Sequence, residues 1–107
     1  MARLSTHVLD TASGRPAAGV RVSLRFGGQV VAQTTTNADG RALLMENESL
    51  PTGVYEMVFA VGGYFQTGFE PPFLDDVVVR FGLADAAANC HVPLLVSPYG
   101  YSTYRGS

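Results

Sequence analysis

Two histidines, His7 and His91, are the side chains of this chain best suited to move protons near neutral pH. An imidazole with a pKa of about 6.5 can act both as a base and as an acid. A histidine on a strand can equally be a structural or surface group. Two histidines without a third ligand or a carboxylate cluster are too few for zinc. The pair therefore favours acid–base chemistry over a metal site.

The single cysteine, Cys90, directly precedes His91 and raises the question of a thiol–imidazole pair. Adjacent residues of a strand point to opposite faces of the sheet, which argues against that pair. We predict instead that Cys90 is buried and inert. One cysteine also excludes an internal disulfide and fits a reducing compartment.

Arg41 and the chain end supply the other candidate groups. Asn37-Ala38-Asp39-Gly40 reads as a turn, and after it Arg41 would be a solvated charge if taken alone. The tail Tyr104-Arg105-Gly106-Ser107 follows an apolar segment without a spacer, so we expect the fold to hold it. It would bring a phenol, a guanidinium and a terminal carboxylate to one place. The chain has no Gly-x-Ser-x-Gly elbow and no phosphate-binding glycine loop, so neither a serine hydrolase nor a nucleotide site is supported.

Short strands separated by turn residues must position these groups. The pattern of β-branched and aromatic residues predicts about eight strands, which is typical of an all-β sandwich. The predicted strands cover residues 4–10, 20–26, 29–35, 40–44, 53–60, 76–83, 90–97 and 101–104. Gly27-Gly28 predicts a two-residue hairpin turn. A single short helix fits near Gly63–Gly68.

Strand alternation predicts which of these side chains leave the core. In the first strand His7 shares a face with Ser5 and Leu9, opposite a face that we expect to be buried. That buried face carries Leu4, Thr6 and Val8. In the segment 90–97, the predicted core face carries Cys90, Val92, Leu94 and Val96, and the mixed face carries His91, Pro93, Leu95 and Ser97. Both histidines should therefore lie on semi-apolar faces outside the core.

Length and charge limit the classes of protein. A chain of 107 residues with 47% apolar and 15% charged residues predicts one globular domain spanning residues 1–107. Its net charge of −2 offers no basic field for nucleic acid or for an anionic membrane. There is no signal-peptide pattern and no apolar run near the roughly 20 residues of a membrane helix. These features predict a cytoplasmic protein.

Three blocks of the sequence, in this order, resemble the 5-hydroxyisourate hydrolases of the transthyretin-like family. The blocks are Leu4–Asp10 with Gly14–Ala17, Thr36–Arg41, and His91–Ser107. The resemblance covers nearly the whole chain, and its first and third blocks are specific. It implies a transthyretin-like two-sheet β-sandwich with a short helix after the strand that holds Tyr55. It also implies a homotetramer with a central channel and no cofactor.

The resemblance also implies roles for individual residues. Catalytic roles fall on His7, Arg41, His91 and Ser107, and substrate binding on these four together with Tyr104, Arg105 and Gly106. The implied reaction is the opening of the ring of 5-hydroxyisourate by water, which gives 2-oxo-4-hydroxy-4-carboxy-5-ureidoimidazoline. The alternative is a non-catalytic tetrameric carrier of an aromatic small molecule. One departure from the family pattern is Asn89-Cys90, where the family often has His-Tyr.

Overall fold

The computed structural model describes residues 2–47 and 49–106, which form two β-sheets packed face to face. The strands are β1 (Ala2–Asp10), β2 (Arg15–Pro16), β3 (Arg21–Phe26), β4 (Gln29–Thr35), β5 (Arg41–Asn47), β6 (Gly53–Ala60), β7 (Asp76–Leu83), β8 (Asn89–His91), β9 (Leu94–Ser97) and β10 (Gly100–Thr103), and the helix is α1 (Val61–Phe65). The predicted all-β sandwich with one short helix is confirmed.

β1 lies at the centre of the first sheet. It runs antiparallel to β5 and β2 on one side and parallel to β8 and β9 on the other, and β10 extends the sheet beyond β9. The register with β5 shifts between Leu4 and Ser5, so that Leu44 is an extra residue on β5. Beyond this bulge, His7 lies directly opposite Arg41.

The second sheet has the order β4-β3-β6-β7, with every neighbouring pair antiparallel. The predicted hairpin between β3 and β4 is confirmed: Gly27 and Gly28 have φ angles of 61° and 80°. A two-residue turn with both φ angles positive matches the right-handed twist of the flanking strands, and glycine adopts such angles without steric cost.

The inward faces of both sheets form one core. Period-two alternation buries every second residue of β1, and the same pattern recurs on β3, β6 and β7. The largest fully buried side chains are Tyr55, Phe59, Leu4, Leu24, Leu50, Met57 and Leu94. Tyr55 stacks between Phe26 and Phe81, with ring centroids 4.4 and 5.9 Å away, and its hydroxyl donates to the Pro51 carbonyl.

The predicted strand over 90–97 is divided into β8 and β9. The Val92 N–H still donates to the Ser5 carbonyl of β1, but Pro93 has no N–H to donate, so the ladder is interrupted there and resumes at Leu94 in the same register. Hydroxyl groups of Thr6 and Thr103 donate to the carbonyls of Val92 and Pro93 at 2.6 and 2.7 Å. Pro93 is buried, in contrast to its predicted place on the mixed face.

The remaining differences are local. The helix begins at Val61, two residues before the predicted start, and ends at Phe65, where Gln66 adopts the left-handed conformation with φ 48°. β5 extends to Asn47, and the two-residue strand β2 was not predicted. No helix among the described residues is long and apolar enough to cross a membrane.

Candidate functional site

Besides the exposed Arg3, β1 carries two polar side chains, Ser5 and His7, on the face that leaves the core. Both are half-buried, whereas their neighbours Leu4, Thr6 and Val8 are at most 1% exposed. In the sheet register, Ser5 lies opposite His91 of β8 and His7 lies opposite Arg41 of β5. The prediction that both histidines leave the core is therefore confirmed, and the register brings His7, Arg41 and His91 onto neighbouring strands.

The turn over 37–40 holds Arg41 and His7 together. The Asn37 side-chain oxygen accepts hydrogen bonds from the backbone N–H groups of Asp39 and Arg41 at 2.9 and 3.0 Å. His7 Nε2 donates to the Asp39 carbonyl at 2.9 Å. Because Asn37 organises the same turn that supplies this carbonyl, the orientation of the His7 imidazole depends on that turn.

Gly40 allows this turn to pack against β1. Its φ angle is 74°, and its carbonyl accepts the Val8 N–H at 2.7 Å. A Cβ atom at this position would collide with the Val8 carbonyl oxygen. Glycine is required here both by the positive φ and by the close approach of the two backbones.

His91 is held by Ser5 from across the sheet. The Ser5 hydroxyl lies 2.9 Å from His91 Nδ1, and the Ser5 carbonyl accepts the Val92 N–H at 2.9 Å. A side-chain contact and a backbone contact thus join the same two neighbouring strands. The imidazole is half-buried, with one ring nitrogen engaged.

The pKa of His91 lies below its usual value of 6.5. Burial of the ring lowers the pKa most, and the positive charges of Arg41 and His7 lower it further, while a hydrogen bond with the Ser5 backbone acts in the opposite direction. A lowered pKa keeps the imidazole neutral at pH 7, which is the state in which it can accept a proton.

The chain end returns to His91. Gly106 forms an antiparallel bridge with His91, and its N–H donates to the His91 carbonyl at 2.8 Å. The expectation that the fold holds the tail is thus confirmed at Gly106. Ser107, which the sequence predicted as a catalytic residue, lies outside the described residues.

An open cleft of about 430 Å³ lies over this part of the first sheet. It is lined by Arg3, Ser5, Asn37, Arg41 and His91, among others. Arg41 is exposed, so its guanidinium is free to meet a solute. The cleft offers the Arg41 guanidinium and the His91 imidazole, a combination that suits a polar substrate rich in carbonyl groups, whereas the Arg3 guanidinium is paired with Glu46 at 3.0 Å. His7 is not among the residues that line the cleft.

Tyr104 and Arg105 line a different cavity. This second cavity, of about 440 Å³, lies between the edge of β7 and the segment that leads from β10 into the tail. Its walls also include Phe81, Leu83 and Val92. Within one chain, the structure does not bring the side chains of these two tail residues to the cleft that holds His91 and Arg41.

Cys90 faces the core, as predicted, and is 8% exposed. Burial raises the pKa of its thiol, and the positive charge of Arg105 acts in the opposite direction. A raised pKa disfavours the thiolate, so Cys90 is a poor nucleophile. In the described ranges, no group of three or more His, Cys, Asp or Glu side chains could hold a metal ion.

Ser5 and Asn37 acquire contacts in the structure that the sequence reasoning did not assign. Ser5 contacts His91, which is 86 positions away, and Asn37 orders the turn that precedes Arg41. Alternation already placed Ser5 on the face of His7. The parallel pairing with β8 was the missing information, because periodicity within a strand does not show which strand lies beside it.

Comparison with known proteins agrees with this architecture. The model of the HIUase/Transthyretin family matches residues 4–106. A protein of Caulobacter vibrioides named 5-hydroxyisourate hydrolase is 53% identical, with 100% of each chain covered. The solved structure of 5-hydroxyisourate hydrolase from Klebsiella pneumoniae matches with a TM-score of 0.88 and 37% identity over 100% of both chains.

A solved transthyretin structure also matches this chain, at lower sequence identity than the Klebsiella hydrolase. Transthyretin from Sparus aurata matches with a TM-score of 0.83 and 25% identity, over 96% of this chain and 95% of the fish protein. Both the sequence match over residues 4–106 and the 53% identity over the full length lead to one assignment. This chain belongs to the HIUase/Transthyretin family.

Proposed function

We propose that this chain hydrolyses 5-hydroxyisourate, opening its six-membered ring to give 2-oxo-4-hydroxy-4-carboxy-5-ureidoimidazoline. The names of its relatives support the substrate. The observation that carries the proposal is the meeting of three features on one sheet face: a half-buried His91 with a lowered pKa, Arg41 opposite His7, and the chain end docked on His91.

The reaction needs a base, an oxyanion stabiliser and a proton for the leaving nitrogen. A neutral imidazole takes a proton from water while the water oxygen forms a bond to the ring carbonyl carbon. The carbonyl electrons move to oxygen and then return as the C–N bond breaks. An imidazolium gives its proton to the departing nitrogen, so one water is consumed. The base is then protonated and the acid neutral, and the transfer of one proton from the base to the acid returns both histidines to their starting states. His7 and His91 share these two roles.

Arg41 supplies the permanent positive charge. Its guanidinium stays protonated at every relevant pH and presents a planar set of N–H donors. A cation beside the reacting carbonyl stabilises the negative oxygen of the tetrahedral intermediate. The same charge helps to keep His91 neutral, because it opposes protonation of the nearby ring.

The tail completes the proposal. On the strength of the family resemblance, Tyr104, Arg105, Gly106 and Ser107 remain predicted substrate-binding residues, and Ser107 remains a predicted catalytic residue. The contact of Gly106 with His91 supports a role for the tail in the site. All these roles presuppose a single domain over residues 1–107.

We also propose a homotetramer in the cytoplasm. Phe73 and Tyr99 support an assembled state, because they are 73% and 65% exposed and their rings lie 6.1 Å apart, forming an apolar surface. Light scattering should give four times the chain mass of 11.4 kDa. A monomeric mass at micromolar concentration would contradict the tetramer.

A coupled assay tests the activity. Urate oxidase generates 5-hydroxyisourate in situ, and the decay of its ultraviolet band is followed with and without the protein. We expect decay above the spontaneous rate, and a kcat roughly 10²- to 10⁴-fold lower in His91→Asn. Near-normal turnover by that variant would refute proton transfer by His91.

The carrier alternative has its own outcome in the same experiment. Folded wild-type protein that leaves the decay at its spontaneous rate would refute the hydrolase. Calorimetric titration with an aromatic ligand would then test whether the protein is a carrier.

A further inference from the structure

The two histidines are fixed through different ring nitrogens. His7 contacts the Asp39 carbonyl through Nε2 at 2.9 Å, whereas His91 contacts the Ser5 hydroxyl through Nδ1, also at 2.9 Å. In a neutral imidazole one nitrogen carries the hydrogen and the other accepts. The nitrogen that a fixed partner occupies therefore determines which nitrogen is left to exchange protons with substrate or water.

The partner of His7 settles its tautomer. A carbonyl oxygen only accepts hydrogen bonds, so Nε2 of His7 must carry the hydrogen. The lone pair of neutral His7 is then on Nδ1. The Asn37-ordered turn holds the Asp39 carbonyl, so this tautomer is built into the end of β1.

Ser5 engages the other ring nitrogen of His91. A hydroxyl can donate or accept, so the contact at 2.9 Å between the Ser5 hydroxyl and Nδ1 is compatible with either tautomer of His91. A base needs a free lone pair, and Nε2 is the ring nitrogen that Ser5 leaves uncovered, so the hydrogen of the basic form is on Nδ1. With Nδ1 protonated, the Ser5 oxygen accepts, and its own hydrogen is free to point into the cleft that Ser5 lines.

We propose that Ser5 is a positioning residue, which holds His91 in the Nδ1–H tautomer and presents Nε2 as the nitrogen that takes a proton from water. The proposal rests on the hydrolase function proposed above. The hydrogen bond between His91 and Ser5 is made at Nδ1, which leaves Nε2 as the ring nitrogen for proton exchange. In His7 the nitrogen that Asp39 leaves uncovered is Nδ1, so the two imidazoles expose different ring nitrogens.

The charges around His91 favour its neutral form. His7 on β1 and Arg41 on β5 both lower its pKa, Arg3 of β1 lines the same cleft but is paired with Glu46 at 3.0 Å, and Arg105 directly precedes Gly106 in the tail. Cys90, the neighbour on β8, has a raised pKa and adds no negative charge. A neutral ring has one hydrogen, and for that reason its placement by Ser5 matters.

Nitrogen NMR of the ¹⁵N-histidine-labelled full chain tests the tautomers without using catalysis. The chain has two histidines, so His7→Asn and His91→Asn assign every ring signal. At a pH where both rings are neutral, we expect a protonated Nδ1 in His91 and a protonated Nε2 in His7. In Ser5→Ala, the His91 signals should shift toward a mixture of the two tautomers, and the His7 signals should stay unchanged.

Kinetics of the same variants test the consequence. Ser5→Ala should lower kcat roughly 2- to 12-fold, the effect of one lost hydrogen bond, with KM changed less. Ser5→Thr keeps the hydroxyl on a β-branched residue that suits a strand, and it should restore both kcat and the His91 tautomer. Ser23→Ala is the matched control, because Ser23 is a half-buried strand serine of the other sheet that accepts from Gln33.

The outcomes separate this proposal from the proposed function. A protonated Nε2 in wild-type His91, or a Ser5→Ala protein with unchanged His91 signals and unchanged kcat, overturns the role of Ser5. If the wild-type protein does not accelerate the decay of 5-hydroxyisourate but its tautomers are as expected and respond to Ser5→Ala, the hydrolase function fails while the positioning of His91 by Ser5 stands.

Discussion

Gly106 lies flat against the side chain of His91. Its N–H donates to the His91 carbonyl at 2.8 Å, and a Cβ atom at position 106 would lie 2.6 Å from His91 Cδ2 and 3.2 Å from Cβ and Cγ. The glycine is required by this close approach and not by its φ angle, which is not in the left-handed region. The tail therefore docks on His91 because one of its residues has no side chain.

Gly106→Ala should displace the tail or the imidazole. Because the added methyl group would collide with the ring, we expect a loss of kcat of at least about 10-fold, the cost of misplacing a reacting group. The free energy of unfolding should change by less than about 1 kcal/mol, because the tail is outside the core. The coupled assay and urea denaturation measure these two quantities.

Gly63→Ala is the control for that substitution. A Cβ at position 63 meets nothing within 4 Å, and the residue lies on α1, far from His91 in sequence. We expect full activity from this variant. Equal activity in both variants would show that the contact between Gly106 and His91 is catalytically irrelevant.

Removal of residues 104–107 should abolish activity and leave the sandwich folded. Residues 104–106 contribute no member to the hydrophobic core, and β10 already ends at Thr103. Circular dichroism and thermal unfolding should therefore resemble those of the full chain, while 5-hydroxyisourate decays at its spontaneous rate. Turnover by the shortened protein would rule out a catalytic tail.

Arg41→Gln should change the pH dependence of the reaction. The charge of Arg41 lowers the pKa of His91, so its removal should raise that pKa. A base is inactive when protonated, so the acid limb of the kcat/KM profile should move to higher pH. On the alkaline plateau, kcat/KM should fall roughly 10²-fold, because one stabiliser of the oxyanion is lost.

Arg41→Lys distinguishes charge from shape. The lysine keeps a cation near His91, so the acid limb should stay at its wild-type pH, while loss of the planar donor fork should still lower kcat/KM. An acid limb that is unmoved in Arg41→Gln would show that Arg41 does not set the protonation of the catalytic base.

Asp10 should stabilise the fold only when it is ionised. Its carboxylate is 7% exposed and accepts hydrogen bonds from Ala12 N–H, Ser13 N–H and the Tyr64 hydroxyl, at 2.9, 3.1 and 3.1 Å. Burial acts to raise the pKa of Asp10, but the hydrogen bonds from Ser13, Tyr64 and Ala12 outweigh it and hold the pKa below the usual 3.8. This stabilisation is present above pH 3.8 and is lost as the pH falls through the folded-state pKa.

Asp10→Asn should therefore cost roughly 1–3 kcal/mol of unfolding free energy at neutral pH and much less in strong acid. Tyr64→Phe should lower the free energy of unfolding by about 1 kcal/mol at neutral pH. It should leave kcat unchanged, because the hydrogen bond of the Tyr64 hydroxyl joins α1 to the end of β1 and does not involve the cleft. Denaturant midpoints at several pH values measure both effects. A destabilisation by Asp10→Asn that is independent of pH would contradict the role of the charge.

The face that most strand residues occupy follows from the sequence alone, with Pro93 as an exception. Period-two alternation placed His7 and His91 outside the core and Cys90 inside it, because successive strand residues point to opposite sides whatever the strand's partners are. The paired glycines 27 and 28 marked a hairpin for an equally local reason, since the left-handed conformation is available to glycine at little cost. Both features depend on residues that are adjacent in the chain.

The partners of each side chain depend on how the strands are arranged in the folded chain. The contact between Ser5 and His91 spans 86 positions and exists because β8 runs parallel to β1 in one particular register. The docking of Gly106 on His91, and the turn of Arg105 toward a different cavity, likewise follow from how the strands are ordered. Alternation predicts the face on which each residue of a strand lies, but it does not predict which strands lie beside that strand. The neighbours are chosen by the burial of both sheets over one shared core, a property of the whole chain.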